Sequence, residues 1–129
     1  MNNSNLRTIL NDYEKKRIYE INALEARKNE LYIQIPRLKQ IDSELSSASI
    51  SVTKNILKYN NPSLINDLKK TIKNLQEEKK SLLNSIGKDE SYLKIHYDCE
   101  LCKDTGYITE NYRTIKCNCL KQKIFDLEY

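Results

Sequence analysis

The sequence predicts a mainly α-helical chain. We expect an antiparallel three-helix bundle or coiled-coil hairpin over residues 1–90, then a small cysteine-rich β-hairpin module and a short C-terminal helix over residues 91–129. Three observations carry this. Apolar residues recur at steps of three and four through most of the first 86 positions. Only two Gly and two Pro interrupt 129 residues, which argues against a turn-rich β sandwich and against a flexible linker. All four cysteines fall between residues 99 and 119.

The first helix spans about residues 4–34. At about 100° per residue, Leu6, Ile9, Leu10, Tyr13, Ile21, Leu24, Leu31 and Ile35 share one face. Arg17 and Lys28 interrupt that stripe, with aliphatic stems that can lie along its edge. Pro36 breaks or bends the helix, because proline disfavours the α conformation of the residue before it. Tyr19 and Ile33 lie opposite the core face, which makes them candidates for contact with a partner.

The second helix follows Pro36, with a seam of Leu38, Ile41, Leu45, Ala48, Val52 and Ile56. The stretch "YNNPS" is a turn in which Asn61 caps the next helix and Pro62 occupies its first turn. The third helix places Ile65, Leu68, Ile72, Leu75, Leu82 and Ile86 at heptad positions, with Lys79 the exception, and Gly87 is its natural stop.

The composition implies a thin core. The hydrophobic fraction of 39% includes nine Tyr, and charged residues reach 31%. The net charge of +4 is spread along the chain, so charge alone announces no nucleic-acid surface. No apolar run is long enough to span a membrane, and "MNNSNLRTIL" lacks the core of a signal peptide. A cytoplasmic location follows as an expectation, and disulfides are rare in that compartment.

Cys99 and Cys102 form a Cys-x-x-Cys pair; Cys117 and Cys119 form Cys-x-Cys. Four thiolates suit one tetrahedral Zn²⁺, and a site with no open position is structural rather than catalytic. Gly106 permits a tight turn after the first pair. "YITENYRTIKC" reads as a hairpin that returns the chain to the metal. The second pair is either extended or sits at the start of a short helix capped by Asn118, with Leu120, Ile124 and Leu127 as its apolar face. His96, three residues before Cys99, is an alternative ligand. Tyr97, Tyr107 and Tyr112 either pad a small core or stack on unpaired bases of single-stranded nucleic acid.

Catalytic constellations are missing from the sequence. There is one His, and "IGKDE" lacks the earlier Gly and the following Ser or Thr of a phosphate-binding loop. Residue patterns therefore point to a binding protein.

"YDCELCKDTGYI" followed by "KCNCLKQKIFDLEY", behind "IPRLKQID" and a heptad helix, resembles the N-terminal part of bacterial replicative-helicase loaders of the DnaC/DnaI type. The resemblance covers about Tyr13 to Tyr129. It implies a DNA-replication role, a hexameric replicative helicase as partner, and an AAA+ ATPase domain following this region. It implies no ATP hydrolysis by these residues. Single-stranded DNA contact and self-association through the helices are further expectations, with a stand-alone zinc-containing nucleic-acid-binding module as the alternative.

Overall fold

The computed structural model describes residues 3–129. The chain is mainly helical (75%), with one two-stranded antiparallel sheet. Its helices are α1 (Asn3–Gln34), α2 (Pro36–Lys54), α3 (Pro62–Ser85) and α4 (Asn118–Glu128). Its strands are β1 (Tyr107–Glu110) and β2 (Arg113–Lys116).

The helix boundaries follow local chemistry. Ile35 leaves the helical region, at φ −132° and ψ 87°, because Pro36 follows it. Proline then starts α2, where its missing N–H costs nothing. At α3 the Asn61 side chain accepts the Leu64 N–H at 3.2 Å, and Pro62 opens the first turn. Gly87 ends α3 at φ +73°. Its N–H bonds the Asn84 carbonyl at 3.0 Å and the Lys88 N–H bonds that of Leu83 at 2.9 Å, which satisfies carbonyls the helix leaves open.

The end of α2 departs from the expected seam. The chain passes into one π-helical turn, Asn55–Tyr59, closed by the Asn60 N–H on the Asn55 carbonyl at 2.5 Å. The wider turn brings Asn55 inward, where its side-chain amide donates to the Ser51 carbonyl at 2.8 Å. Ile56, read as a core residue, is exposed.

The chain forms two compact units. One holds Ala26–Lys94. The other joins the described residues up to Glu25 with Ile95–Tyr129. This grouping differs from a division at residue 90, because Ile9 and Tyr13 of α1 pack on Leu120 of α4.

In the unit Ala26–Lys94, α2 and α3 pack on each other. Arg37, early in α2, pairs with Glu78, late in α3, so the two helices run antiparallel. Leu31, Leu38 and Leu83 form its core, and Ile41 and Leu75 are also buried. Each such leucine is worth about 1.5–3 kcal/mol of burial. Leu83 was not expected in the seam; Leu82 and Ile86 are only partly buried. Lys79 meets Asp42 at 2.6 Å, and Tyr32 donates its hydroxyl to the other oxygen of that carboxylate. Arg27 closes the unit by donating to the Tyr92 and Lys94 carbonyls at 2.8 and 3.0 Å.

In the other unit the core is Ile9, Tyr13 and Leu120, flanked by Leu6, Leu10 and Tyr107. Ile21, predicted on the same stripe, is 55% exposed. The stripe assumed one partner surface along all of α1. The buried apolar positions instead fall in two separate patches, at Ile9 and Tyr13 and again at Leu31, and Ile21 lies between them in the sequence.

Candidate metal centre

The first ligand arm is a turn shaped by its polar residues. After Cys99 and Cys102, Lys103 and Asp104 both adopt left-handed conformations, at φ 53° and 57°. This tight reversal leaves backbone donors inside the turn, and the Asp104 carboxylate takes two of them. It accepts the Cys99 N–H at 2.9 Å and the Asp98 N–H at 3.1 Å, and Asp104 itself is only 1% exposed. Thr105 closes the turn by donating through Oγ1 to the Cys102 carbonyl at 2.7 Å. Gly106 follows at φ +86°, a conformation that disfavours any residue with a Cβ.

The second arm is the β1–β2 hairpin, in register Tyr107 with Lys116 and Glu110 with Arg113. Asn111 and Tyr112 form its two-residue turn, both at positive φ, which matches the twist of a hairpin. The Gly106 carbonyl accepts the Cys117 N–H at 2.8 Å, so the two arms are tied by backbone. Cys117 is the N-cap of α4 and Cys119 lies in its first turn. The helical alternative for this pair is therefore the one found, but the cap lies one residue before Asn118. The open N–H groups and the dipole of that helix end favour thiolate charge.

The four sulfurs all lie within 4.8 Å of one another. Cys99 Sγ is 3.7 Å from Cys117 Sγ, and Cys102 Sγ is 3.5 Å from Cys119 Sγ. Sulfurs about 2.3 Å from a tetrahedral ion lie about 3.8 Å apart, so the spacing fits a single ion. All four are free thiols. The backbone N–H of Cys102 lowers the Cys99 thiol to about 7, whereas burial pushes Cys119 up to about 12. Four thiolates this close repel one another, and a cation offsets the repulsion. Together Cys99, Cys102, Cys117 and Cys119 could hold a metal ion, and four thiolates favour a soft or borderline one.

Tyr13 reaches this cluster from α1, with its hydroxyl 2.9 Å from Cys119 Sγ. Burial and then the Cys119 sulfur raise its phenol above the ordinary value, so it keeps its proton. Sequence reasoning placed Tyr13 on the core stripe only and did not single out Asp104. The signal for Asp104 was a short acidic residue two positions after the Cys-x-x-Cys pair and just ahead of Thr-Gly.

The other residues singled out lie elsewhere. His96 is exposed and outside the four-sulfur cluster. Tyr97 is half-buried, and Tyr107 is half-buried against the Ile9, Tyr13 and Leu120 core. Tyr112, at the hairpin tip, is fully exposed (104%). Tyr19 and Ile33 are 68% and 83% exposed, one in each unit. Among the described residues, no helix is long and apolar enough to cross a membrane.

Comparison of the chain with protein-family models, with curated proteins and with solved structures finds no match. The site is thus defined by its own geometry: a four-cysteine cluster that could hold a metal ion, within a mainly helical chain.

Proposed function

We propose that this chain is the helicase-contacting, zinc-holding region of a replicative-helicase loader similar to the DnaC/DnaI type. One structural Zn²⁺ is held by Cys99, Cys102, Cys117 and Cys119. The helices act as the protein-binding arm, and the role is binding rather than catalysis.

The observation that supports the reading is where the resembling residues lie. Asp104, Thr105, Gly106 and Leu120 belong to the two segments that carry the likeness. Each has a job at the cysteine cluster: capping the first turn, closing it, turning the chain at φ +86°, or packing beneath it. The likeness thus rests on residues with structural tasks, beyond the cysteines themselves. The exposed apolar residues Tyr19 and Ile33 are offered as contacts for the hexameric helicase.

Gel filtration or calorimetry of the zinc-loaded chain with its cognate hexameric helicase tests this. A stable complex is expected, and no binding by folded, zinc-loaded protein sinks the assignment. Binding unaffected by Tyr19→Ala with Ile33→Ala keeps the function and discards that face. One observation favours a second reading, a zinc-containing module for single-stranded nucleic acid: Tyr112 stands fully exposed beside Arg113, where a base could stack. Salt-dependent binding of single-stranded DNA, lost in Tyr112→Ala and without helicase binding, selects it.

A further inference from the structure

We propose that Tyr13 is an outer-sphere residue of the metal centre: its phenol donates to the Cys119 thiolate, so docking of the N-terminal part of α1 and metal binding support each other. The proposal rests on the metal-binding reading of the four cysteines.

The direction of the bond follows from charge. A metal-bound Cys119 carries no proton, so the hydroxyl 2.9 Å away is the donor. Tyr13 is 5% exposed, so a hydroxyl without that acceptor leaves a polar group poorly solvated. Its ring is held closely. A Cβ on Gly106 would lie 3.1 Å from Tyr13 Cε2, and the Lys123 ammonium is 5.3 Å from the ring centre.

Two neighbours on the same helical face reach the same turn. Lys16 and Arg17 stand three and four residues after Tyr13, the spacing that puts side chains side by side. Arg17 Nη1 donates to the Asp104 carbonyl at 2.6 Å, and Lys16 Nζ lies 3.5 Å from Asp98 Oδ1. One face of α1 therefore contacts a ligand sulfur and two residues of the segment that presents Cys99 and Cys102. That segment carries two left-handed residues, an unfavourable conformation that a bound ion would help to hold. Coupling between two events is reciprocal. Loss of the ion loosens α1, and loss of the phenol weakens the hold on the ion.

The test compares full-length wild type with Tyr13→Phe, which keeps the ring and removes the donor. Metal content of the wild type is measured first, so that a chain without metal binding fails the underlying reading visibly and takes this proposal with it. For Tyr13→Phe we expect one metal per chain and unchanged helical circular dichroism. We also expect about tenfold weaker affinity in competition with a chromophoric chelator, at the low end for loss of an outer-shell partner. The thiolate-to-metal charge-transfer band of the cobalt(II) form should shift. Wild-type affinity with an unshifted band means that the ring only packs, and overturns the proposal. If Tyr13→Phe does not fold, wild-type hydrogen exchange decides. Peptides covering Leu6 to Arg17 should be protected with zinc and lose protection on chelation, and equal protection in both states overturns the coupling.

Discussion

The Asp104 carboxylate holds the backbone of Cys99, accepting its N–H at 2.9 Å through one oxygen while the other takes the Asp98 N–H at 3.1 Å. A ligand is thus positioned by its main chain, before any metal is considered. Asp104→Ala leaves both donors without that partner in a partly buried turn, at a cost toward the low end of about 1–3 kcal/mol. Metal affinity should fall about 10- to 100-fold, as for other second-shell losses. Asp104→Asn keeps one acceptor oxygen and should fall between. Chelator competition measures all three proteins, and wild-type affinity in Asp104→Ala would show that the turn holds itself.

The two glycines give a matched comparison. Both have positive φ, +73° at Gly87 and +86° at Gly106, so alanine strains the backbone at either place. At Gly87 nothing lies within 4 Å of an added Cβ. At Gly106 it meets Tyr13 Cε2 at 3.1 Å and Leu120 Cδ2 at 3.3 Å, both in the buried core of that unit. Gly87→Ala should cost about 1 kcal/mol, and Gly106→Ala more, about 2–3 kcal/mol, because buried side chains must also move. Denaturant unfolding of each metal-loaded variant orders them. Equal costs would mean that Tyr13 and Leu120 yield freely.

Much of this was legible in the sequence wherever one local rule decides. Pro36, Asn61 with Pro62, and Gly87 mark helix ends by chemistry that needs no tertiary context. Cysteine spacing marked the two pairs, and a short hairpin was enough to bring them together. The failures came where a distant partner decides. Ile21 shares a face with Tyr13 but nothing buries it. Ile56 follows the α period, but a π-helical turn puts Asn55 inside instead. Leu83 lies one residue past the expected heptad position, and its burial depends on how α3 meets Leu31 and Leu38. Periodicity could not show that Asp104 would cap a turn, which depends on the left-handed backbone of Lys103 and Asp104, or that Tyr13 would reach Cys119 from far along the chain.

Lys79 broke the heptad seam of α3, and Asp42 accounts for it. The ammonium lies 2.6 Å from Asp42 Oδ1, with both side chains about one-quarter exposed. Such a pair lies between a surface bridge of about 0–1 kcal/mol and a buried one whose breakage costs several. A double-mutant cycle with Asp42→Ala and Lys79→Ala should give a coupling of about 1 kcal/mol. Replacing both partners, Asp42→Leu with Lys79→Met, should be nearly neutral, because apolar area offsets the lost pair, whereas Lys79→Met alone strips Asp42 of its counter-charge and should destabilise. Coupling near zero would leave the stem of Lys79, rather than its charge, as the reason the seam tolerates it.

Arg37 grips Glu78 with two donors, Nε to Oε2 at 2.7 Å and Nη2 to Oε1 at 3.0 Å. Those bonds, followed by the attraction of the guanidinium, lower the Glu78 pKa below its ordinary value. The sign is fixed by linkage. A carboxylate whose folded pKa is depressed stabilises the fold fully above its unfolded pKa, about 4.3. That contribution is lost as pH falls through the lower folded value. Both groups are partly exposed, so the effect is small and screened by salt. Glu78→Gln should therefore be modestly less stable than wild type at pH 7 and low ionic strength. The difference should shrink as pH drops below about 4, and in high salt. Wild-type and variant unfolding midpoints, taken at pH 7 and again near pH 3, make the comparison. A difference that persists undiminished at pH 3 would mean that the substitution disturbs packing rather than charge, and that the Arg37 pair adds nothing to the α2–α3 contact.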